Sequence, residues 1–465
     1  MVPRAERRAG AVAAQRALMA RPMHITIVGA GLGGLCLAQG LRRHGIAFDV
    51  YEHDAALASR TQGYRIRIDH RGKQALKACL PADLFALFKA TGAMPVEGVN
   101  VVDTGLDAVT GMWVESWRRA GNEGAGNVEE DDLSANRQTL REVLLCGIED
   151  RVHFGKAFVR YRECEDGRVA AGFADGSSAV SDVLVAADGV NSQVRRRRLP
   201  GATPADTGFA CLYGKTCPTS AALARISGVL RDRTSIVFGD GLAVIIDPMR
   251  FRPQPTGYRL GECEDYLYWA IVGARESLGI GWEGGDALRQ DELAARIERV
   301  TADWHIGLRA LFQQGDRASL AMLPVRTADV PPAWPTNAVT VLGDAIHAMS
   351  PAGGLGANAA LHDAHLLVRQ LGEAAAGHRS LRAAIGSYET AMREHSSRAI
   401  LASQRSTEIL LGYGGAAPCA ARAHPGWLGA TASGPAIGIP PARLVAPMVP
   451  MSHFHPAVRR LYFAG

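Results

Sequence analysis

Four glycines in six residues, Gly29, Gly31, Gly33 and Gly34, follow the strand-like run His24-Ile25-Thr26-Ile27-Val28. Beyond them Leu35, Ala38 and Leu41 recur at helical spacing, and the helix is expected to end at Gly45. A strand turning through glycines into a helix gathers unpaired backbone N–H groups and the positive end of a helix dipole at one point, which suits a pyrophosphate. Gly29 permits the tight turn, Gly31 lets backbone approach the phosphates, and Gly34 allows close helix–strand packing. A second short strand, Ile46–Tyr51, delivers Glu52, whose carboxylate can accept both ribose hydroxyls of an adenosine. Glycines alone are a weak signal, but strand, turn, helix, strand and acid in this order define a dinucleotide-binding unit.

Two further junctions each carry an aspartate. Val183–Ala187 is a buried-strand run ending in Asp188-Gly189, with Asn191-Ser192 placed to cap a short helix beginning near Gln193. Ala338–Leu342 runs into Gly343-Asp344-Ala345-Ile346-His347. After Pro351 come Gly353-Gly354-Leu355-Gly356-Ala357-Asn358 and a helix whose Ala360, Ala364, Leu367 and Leu371 share a face. This third junction lacks the G-x-G-x-x-G spacing, and no acid-terminated strand follows it. Its form suits a different role, with an aspartate to hold a polyol and a helix N-terminus aimed at an electron-rich ring.

In this order the three motifs resemble the FAD-dependent aromatic hydroxylases of the para-hydroxybenzoate hydroxylase type, the class A flavoprotein monooxygenases. Gly63-Tyr64-Arg65-Ile66-Arg67-Ile68 and Asn136-Arg137-Gln138-Thr139-Leu140-Arg141 look most like the tetracycline-inactivating and antibiotic-tailoring members. The resemblance runs from about residue 23 to about residue 405 and is thin through 206–320. It implies that Gly29, Gly31, Gly33 and Gly34 face the FAD pyrophosphate and Glu52 the adenosine ribose, with Arg60 beside the ribose. Arg137 would reach the pyrophosphate or ribityl region. Gly343 and Asp344 would hold the ribityl chain, while Gly354, Gly356, Ala357 and Asn358 would place N–H groups near the flavin N1–O2 edge, with Pro351 and Gly356 close to the ring. Asp188 would brace the FAD domain and affect use of the nicotinamide reductant. Tyr64 and Arg65, with Tyr213 and Tyr268, would edge a substrate pocket.

The activity so implied consumes NADPH or NADH, bound transiently because only one fingerprint exists. It inserts one oxygen atom of O2, through a flavin hydroperoxide, into an aromatic or polycyclic natural product. Hydroxylation is the expected outcome, and epoxidation or Baeyer–Villiger insertion uses the same intermediate. The alternative is a flavin-binding protein without oxygenase activity, a substrate holder or non-redox isomerase. A flavin halogenase needs a Trp-x-Trp-x-Ile-Pro element that Tyr266-Leu267-Tyr268-Trp269-Ala270-Ile271 does not match. A disulfide reductase needs a redox cysteine pair and a second fingerprint.

These motifs need a scaffold, and 465 residues at ~150 per domain allow two or three domains. At 47% hydrophobic and 21% charged, the chain is not disordered, collagen-like or multi-span. The net charge of +5 does not argue for nucleic acid: Arg4, Arg7, Arg8, Arg16 and Arg21 against Glu6 leave the rest near neutral. Eight cysteines without C-x-x-C or metal-ligand spacing suggest no metal and a reduced, cytoplasmic protein. The uncharged stretch 423–442 is broken by prolines and glycines, so no membrane span is expected.

The expected fold class is α/β. A Rossmann-like FAD-binding domain of the glutathione-reductase-like, para-hydroxybenzoate hydroxylase type is expected from 23–95, 133–205 and 325–405. A mostly antiparallel β-sheet substrate domain is expected from 96–132 and 206–324, with strand-like stretches Ser235–Phe238, Ala243–Asp247 and Tyr266–Val272. Residues 1–22 read as a disordered leader, Ser387–Leu411 as one long C-terminal helix, and 406–465 as a coil-rich extension of a monomer or homodimer. His347 reads better as a structural residue than as a catalytic base. The run Arg195–Arg198 reads as a solvated face in which only Arg195 matches a family position. Trp113, Trp117, Tyr213, Tyr266, Tyr268 and Trp269 could line an aromatic pocket, yet aromatics in alternating strands are more often core.

Overall fold

The computed structural model describes residues 22–59, 63–110, 132–261, 263–281 and 288–412. From the N-terminus come β1 (His24–Val28), α1 (Leu32–Arg43), β2 (Ala47–Tyr51), β3 (Arg65–Ile68), α2 (His70–Cys79), α3 (Ala82–Ala90) and β4 (Val99–Asp103). Next are β5 (Leu133–Asn136), α4 (Arg137–Leu145), β6 (Val152–His153), β7 (Phe158–Glu163), β8 (Val169–Phe173), β9 (Ser178–Ser181), β10 (Val183–Ala186) and α5 (Gln193–Arg198). Then follow β11 (Ala205–Thr216), α6 (Ser220–Arg225), β12 (Thr234–Gly239), β13 (Leu242–Met249), β14 (Tyr266–Ala274), α7 (Gln290–Val300) and α8 (Ile306–Gln313). The last are β15 (Ala321–Thr327), β16 (Val339–Val341), α9 (Asp344–His347), α10 (Gly356–Ala375) and α11 (Leu381–Gly412).

Buried apolar runs make the central strands. A parallel five-stranded sheet has the order β16-β10-β1-β2-β6, and β10 and β16 are buried at every residue. The three motifs therefore end adjacent strands, β1, β10 and β16, at the carboxyl edge where open parallel sheets bind ligands. Helix α1 is buried over its first ten residues, and α10 crosses it closely at Gly33 and Gly40. A Cβ on Gly40 would lie 2.5 Å from Cγ2 of Val368.

The second sheet has the order β15-β11-β14-β13-β12-β4 and is antiparallel except where β4 joins β12. Its two faces separate by strand periodicity. Leu212, Val244, Ile246, Trp269 and Ile271 pack against Ile297, Trp304, Leu308, Leu311 and Phe312 of the outer helical layer. Cys211, Tyr213, Ala270 and Val272 form the other face, together with Tyr64 and Tyr268. The long helix α11 begins at Leu381 and runs to Gly412, longer at its start than the sequence pattern suggested and reaching into the segment expected to be coil. No described helix is long and apolar enough to cross a membrane. Residues 1–21, Trp113, Trp117 and the residues from 413 onward lie outside the described residues.

Candidate cofactor-binding site

The glycines of the first turn divide by what surrounds them. Gly29 has φ +108°, and a Cβ there would sit 2.3 Å from the Ala187 carbonyl oxygen. A Cβ on Gly34 would lie 2.1 Å from the Gly29 carbonyl oxygen, and one on Gly33 2.7 Å from Cδ1 of Leu342 and 3.2 Å from Cβ of Ala360. These three make close packing possible. Around Gly31 a Cβ would meet nothing within 4 Å, so its backbone borders open space. Gly31 is also the N-cap of α1, with no side-chain cap and no acid in the first turn. Among the described residues no side chain therefore caps the leading amides of α1.

The start of α10 repeats the arrangement. Leu355 provides no side-chain cap and the first turn holds no acid. Ala360 touches the Cβ positions of both Gly33 and Gly343, so the two uncapped helix starts lie side by side. Asp344 is exposed at this junction, and its Oδ1 would be 3.5 Å from a Cβ on Gly356. Two positive helix ends and one carboxylate in a common cleft fit a ligand that carries a pyrophosphate, a polyol and an electron-rich ring, as FAD does.

Glu52 is buried, and its oxygens accept from the Ala30 amide at 2.7 Å and the Asp54 amide at 3.0 Å. It closes the glycine turn, and Oε2 keeps a further lone pair for a ribose hydroxyl. His53 Nδ1 lies 2.7 Å from Glu52 Oε1, so the cluster Glu52, His53 and Asp54 is accounted for by its own hydrogen bonding. Arg60 lies outside the described residues.

Arg141, given no role from sequence, is 1% exposed. Its Nη2 donates to the Ala30 carbonyl at 3.2 Å and its Nη1 to that of Leu57 at 2.8 Å. An arginine four residues after Arg137, on a helix whose Leu140 and Leu144 are apolar, was the available signal. Arg141→Met should strand two carbonyls and cost apo stability about 2–4 kcal/mol in urea unfolding. Arg137 opens α4 behind the Asn136 cap, which accepts from Gln138 and Thr139, and its charge acts on Tyr213.

Ser192 caps α5, accepting from the Arg195 amide at 2.9 Å, and Asp188 accepts from the Gln193 amide at 2.8 Å, with burial pushing its carboxyl upward. Arg195 departs from the expected solvated face. It is 1% exposed, and it donates to the carbonyls of Ala345 at 2.9 Å and Val190 at 3.0 Å, joining the second motif to the third. Arg196 and Arg197 are exposed. The difference is tertiary: a six-residue helix presents one of its arginines to a neighbouring loop.

The third motif is tied from beneath. Gly343 has φ +62°, and its amide donates to Asp363 Oδ2 at 2.8 Å. The same oxygen bonds His347 Nε2 at 2.6 Å, and Oδ1 bonds His395 Nε2 at 2.7 Å. His347 is fully buried. Asn358 spends its side chain on the protein: Oδ1 accepts from the Asp69 amide, and Nδ2 donates to the Arg67 and Gly354 carbonyls. Ala357 is half-buried beside it, Gly354 is left-handed at φ +60°, and Pro351 opens a single exposed-edge turn capped by Ser350.

Burial pushes the His347 imidazolium down, but the charge and hydrogen bond of Asp363 outweigh it and hold it above its ordinary value. Its contribution to stability is complete below about 6.5 and is lost as pH rises through the folded value. Burial likewise pushes Asp363 up, and its two histidines overcome that and hold it below the usual carboxylate range. That contribution is lost only in strong acid. His362 behaves oppositely, since burial and the neighbouring His395 depress it to about 4. The unfolded chain then takes up that proton first, so stability falls between pH ~6.5 and about 4. The apo protein should melt highest near pH 6.5, and His362→Gln should flatten the acid limb of a Tm-against-pH curve.

On the inner sheet face the aromatic residues have distinct employments. Tyr64 donates its hydroxyl to the Ser319 carbonyl at 2.9 Å, and Tyr266 donates to that of Tyr64 at 3.0 Å. The Lys215 ammonium stands over both rings, 5.5 and 5.9 Å from their centroids. Arg65 pairs with Asp247 of β13. Tyr64 and Arg65 therefore frame the face as fixed structure. Tyr213 is buried with its phenol pushed up to about 12, and burial raises Tyr268 as well; among the described residues neither hydroxyl has a protein partner. Behind Arg65 a cavity of about 70 Å³, bordered by Arg67, Asp132 and Asp247, is too small for a polycyclic ligand.

The sheet order, the paired helix starts and the Asp344 carboxylate define a flavoprotein fold of the para-hydroxybenzoate hydroxylase type. Residues 288–425 match a FAD binding domain, and 27–90 match an NAD(P)-binding Rossmann-like domain. A solved chain from Photorhabdus luminescens, described as a FAD-containing monooxygenase, is 32% identical with a TM-score of 0.72, covering 84% of this chain and 99% of that one. The chain belongs to the FAD-dependent monooxygenase family. A dual O-methyltransferase/FAD-dependent monooxygenase from Phaeosphaeria nodorum is 37% identical over 74% of this chain and 40% of that protein. The chain spans less than half the length of such two-function relatives. An aurachin C monooxygenase/isomerase from Stigmatella aurantiaca is 27% identical over 83% of this chain and 89% of that protein.

Proposed function

We propose that this chain is a FAD-dependent, NAD(P)H-consuming monooxygenase that inserts one oxygen atom of O2 into an aromatic or polycyclic small molecule. The observation that carries the reading is the meeting of two uncapped helix starts with the Asp344 carboxylate. Bound FAD would supply the redox and oxygen-activating chemistry. The start of α1 would take the pyrophosphate against Gly31, with Glu52 and Arg60 at the ribose and Arg137 beside the phosphates. Asp344 would accept from ribityl hydroxyls. The amides of Gly356 and Ala357 would face the ring edge where negative charge gathers, and donors fixed on a helix end need no reorganisation to stabilise it. Gly343, Gly354, Pro351 and Asn358 hold that loop in shape, and Asp188 braces the second turn.

Tyr213 and Tyr268, kept neutral by burial, would donate O–H to a phenolate or carbonyl of the substrate. Cys211, Ala270 and Val272, packed beside Tyr213, would give a substrate there an apolar floor that keeps water out. Tyr213→Phe or Tyr268→Phe should each raise the substrate KM about tenfold, the value of one hydrogen bond to a charged acceptor, with melting temperature little changed. The fusion of an O-methyltransferase to the monooxygenase in relatives favours a substrate class with free phenolic hydroxyls, natural products that are methylated before or after oxygenation. The single fingerprint leaves NADPH or NADH without its own domain, so the reductant would dock transiently. We assign 23–95, 133–205 and 325–405 to the cofactor half and 96–132 and 206–324 to the substrate half of a monomer or homodimer acting in the cytoplasm.

The purified chain should be yellow and should consume NADPH or NADH in air faster with a phenolic polycycle present, releasing little peroxide. Substrate turnover without reductant consumption would identify the flavin-holding isomerase instead. Colourless protein that FAD cannot reconstitute would refute both.

A further inference from the structure

We infer that Asp363, bonded to His347 and His395 beneath the Gly343 turn, is a positioning residue for the cofactor cradle, and that through it α11 becomes a wall of that cradle. The inference rests on the FAD reading above. Asp363 lies two turns into α10 with no solvent exposure. Its two oxygens receive one backbone amide and two imidazoles, from the β16–α9 turn, from α9 and from α11. A carboxylate is a costly way to hold three elements together, since desolvating it must be offset by partners of good geometry. What it offers over a leucine is direction. Gly343 adopts φ +62° and ψ −145°, and its amide is fixed by Asp363. The side chain of Asp344 leaves the very next residue, so the aim of the ribityl-binding carboxylate depends on this bond.

Helix α11 follows the same motif along its length. The Tyr388 hydroxyl donates to the Val341 carbonyl at 2.8 Å, His395 bonds Asp363, and the Ser403 hydroxyl donates to the Ser350 carbonyl at 2.9 Å. Leu410 packs with Ala352 against the substrate sheet. Glu389 adds the Thr336 and Thr340 hydroxyls. Tyr388, His395, Ser403 and Leu410 recur every seven or eight residues, two helical turns apart, so one stripe of α11 meets the strand, the turn, the loop and the sheet in succession. None of these side chains belongs to the proposed FAD contacts. They act through Gly343, Asp344 and the 350–356 loop.

The test uses Asp363→Asn, His395→Leu and His395→Gln, the last retaining a donor of similar reach, with Thr216→Val as control. The Thr216 hydroxyl donates to the Leu311 carbonyl inside the substrate sheet's outer core, remote from the cradle. For each, apo melting temperature, FAD dissociation constant by fluorescence quenching and flavin midpoint potential would be measured. Asp363→Asn and His395→Leu should weaken FAD about tenfold or more, as loss of an outer partner commonly does for a bound group, and should shift the potential. His395→Gln should restore both, while Thr216→Val should lower the melting temperature alone. His395→Leu with wild-type FAD affinity and potential, whatever its melting temperature, would overturn the inference and leave the FAD reading standing. Wild-type chain that binds no FAD would overturn the reading and the inference with it.

Discussion

Asp344→Ala is expected to purify folded and nearly colourless. The side chain is exposed, so its removal should change apo stability by no more than about 1 kcal/mol, the usual worth of an acid at a helix start. Its value lies in the ligand it would hold. A carboxylate accepting from ribityl hydroxyls contributes about 1.5–3 kcal/mol, so FAD affinity should fall roughly ten- to a hundredfold. Asp344→Asn keeps an acceptor oxygen without the charge and should fall between the two. Flavin absorbance per protein after gel filtration, with titration of FAD into apo protein, reads the effect. Full flavin occupancy in Asp344→Ala would show that the third motif does not hold the cofactor as proposed.

The parts of the site readable from sequence are those in which backbone geometry restricts residue type. A turn at φ +108° under a carbonyl 2.3 Å from any Cβ accepts only glycine, and so Gly29 is visible in the chain. The strands β1, β10 and β16 are equally visible, because burial on both faces demands unbroken apolar runs. Buried charge is not. Asp363, Arg141 and Arg195 sit on helices where a charged residue ordinarily marks the solvent side, and their burial depends on partners far along the chain. His395 is 32 residues from Asp363, and Ala30 is 111 residues from Arg141. Asn358 shows the same limit: its place in a glycine-rich run pointed to its backbone N–H, while the role of its side-chain amide, joining Arg67 and Asp69 to α10, depends on residues 291 and 289 positions away. Sequence spacing locates the backbone of the cleft, while the side chains that hold it rigid are specified by tertiary contact.

Gly31→Ala and Gly34→Ala should separate these two roles within a single turn. At Gly34 the new Cβ would stand 2.1 Å from a carbonyl oxygen and 3.2 Å from Cβ of Ala187, and neither neighbour can move without shifting β1 or β10. Overpacking of this kind costs about 3 kcal/mol or more, enough to lower the melting temperature by roughly 3 °C or more in a chain of this size, and the defect should be present without FAD. At Gly31 the backbone is extended, φ −76° and ψ −179°, and any residue can adopt it. A Cβ there meets no protein atom, so apo stability should fall by about 1 kcal/mol at most, the difference between glycine and alanine as N-cap. The methyl would, however, occupy the space through which a pyrophosphate must approach the α1 amides. Relieving that overlap should cost FAD about two orders of magnitude in affinity, again about 3 kcal/mol. The pair thus predicts a stable apo protein that cannot hold FAD and an unstable one whose defect precedes FAD. Gly31→Ala with wild-type FAD affinity would remove the pyrophosphate from the start of α1, because no other observation depends on that position being bare.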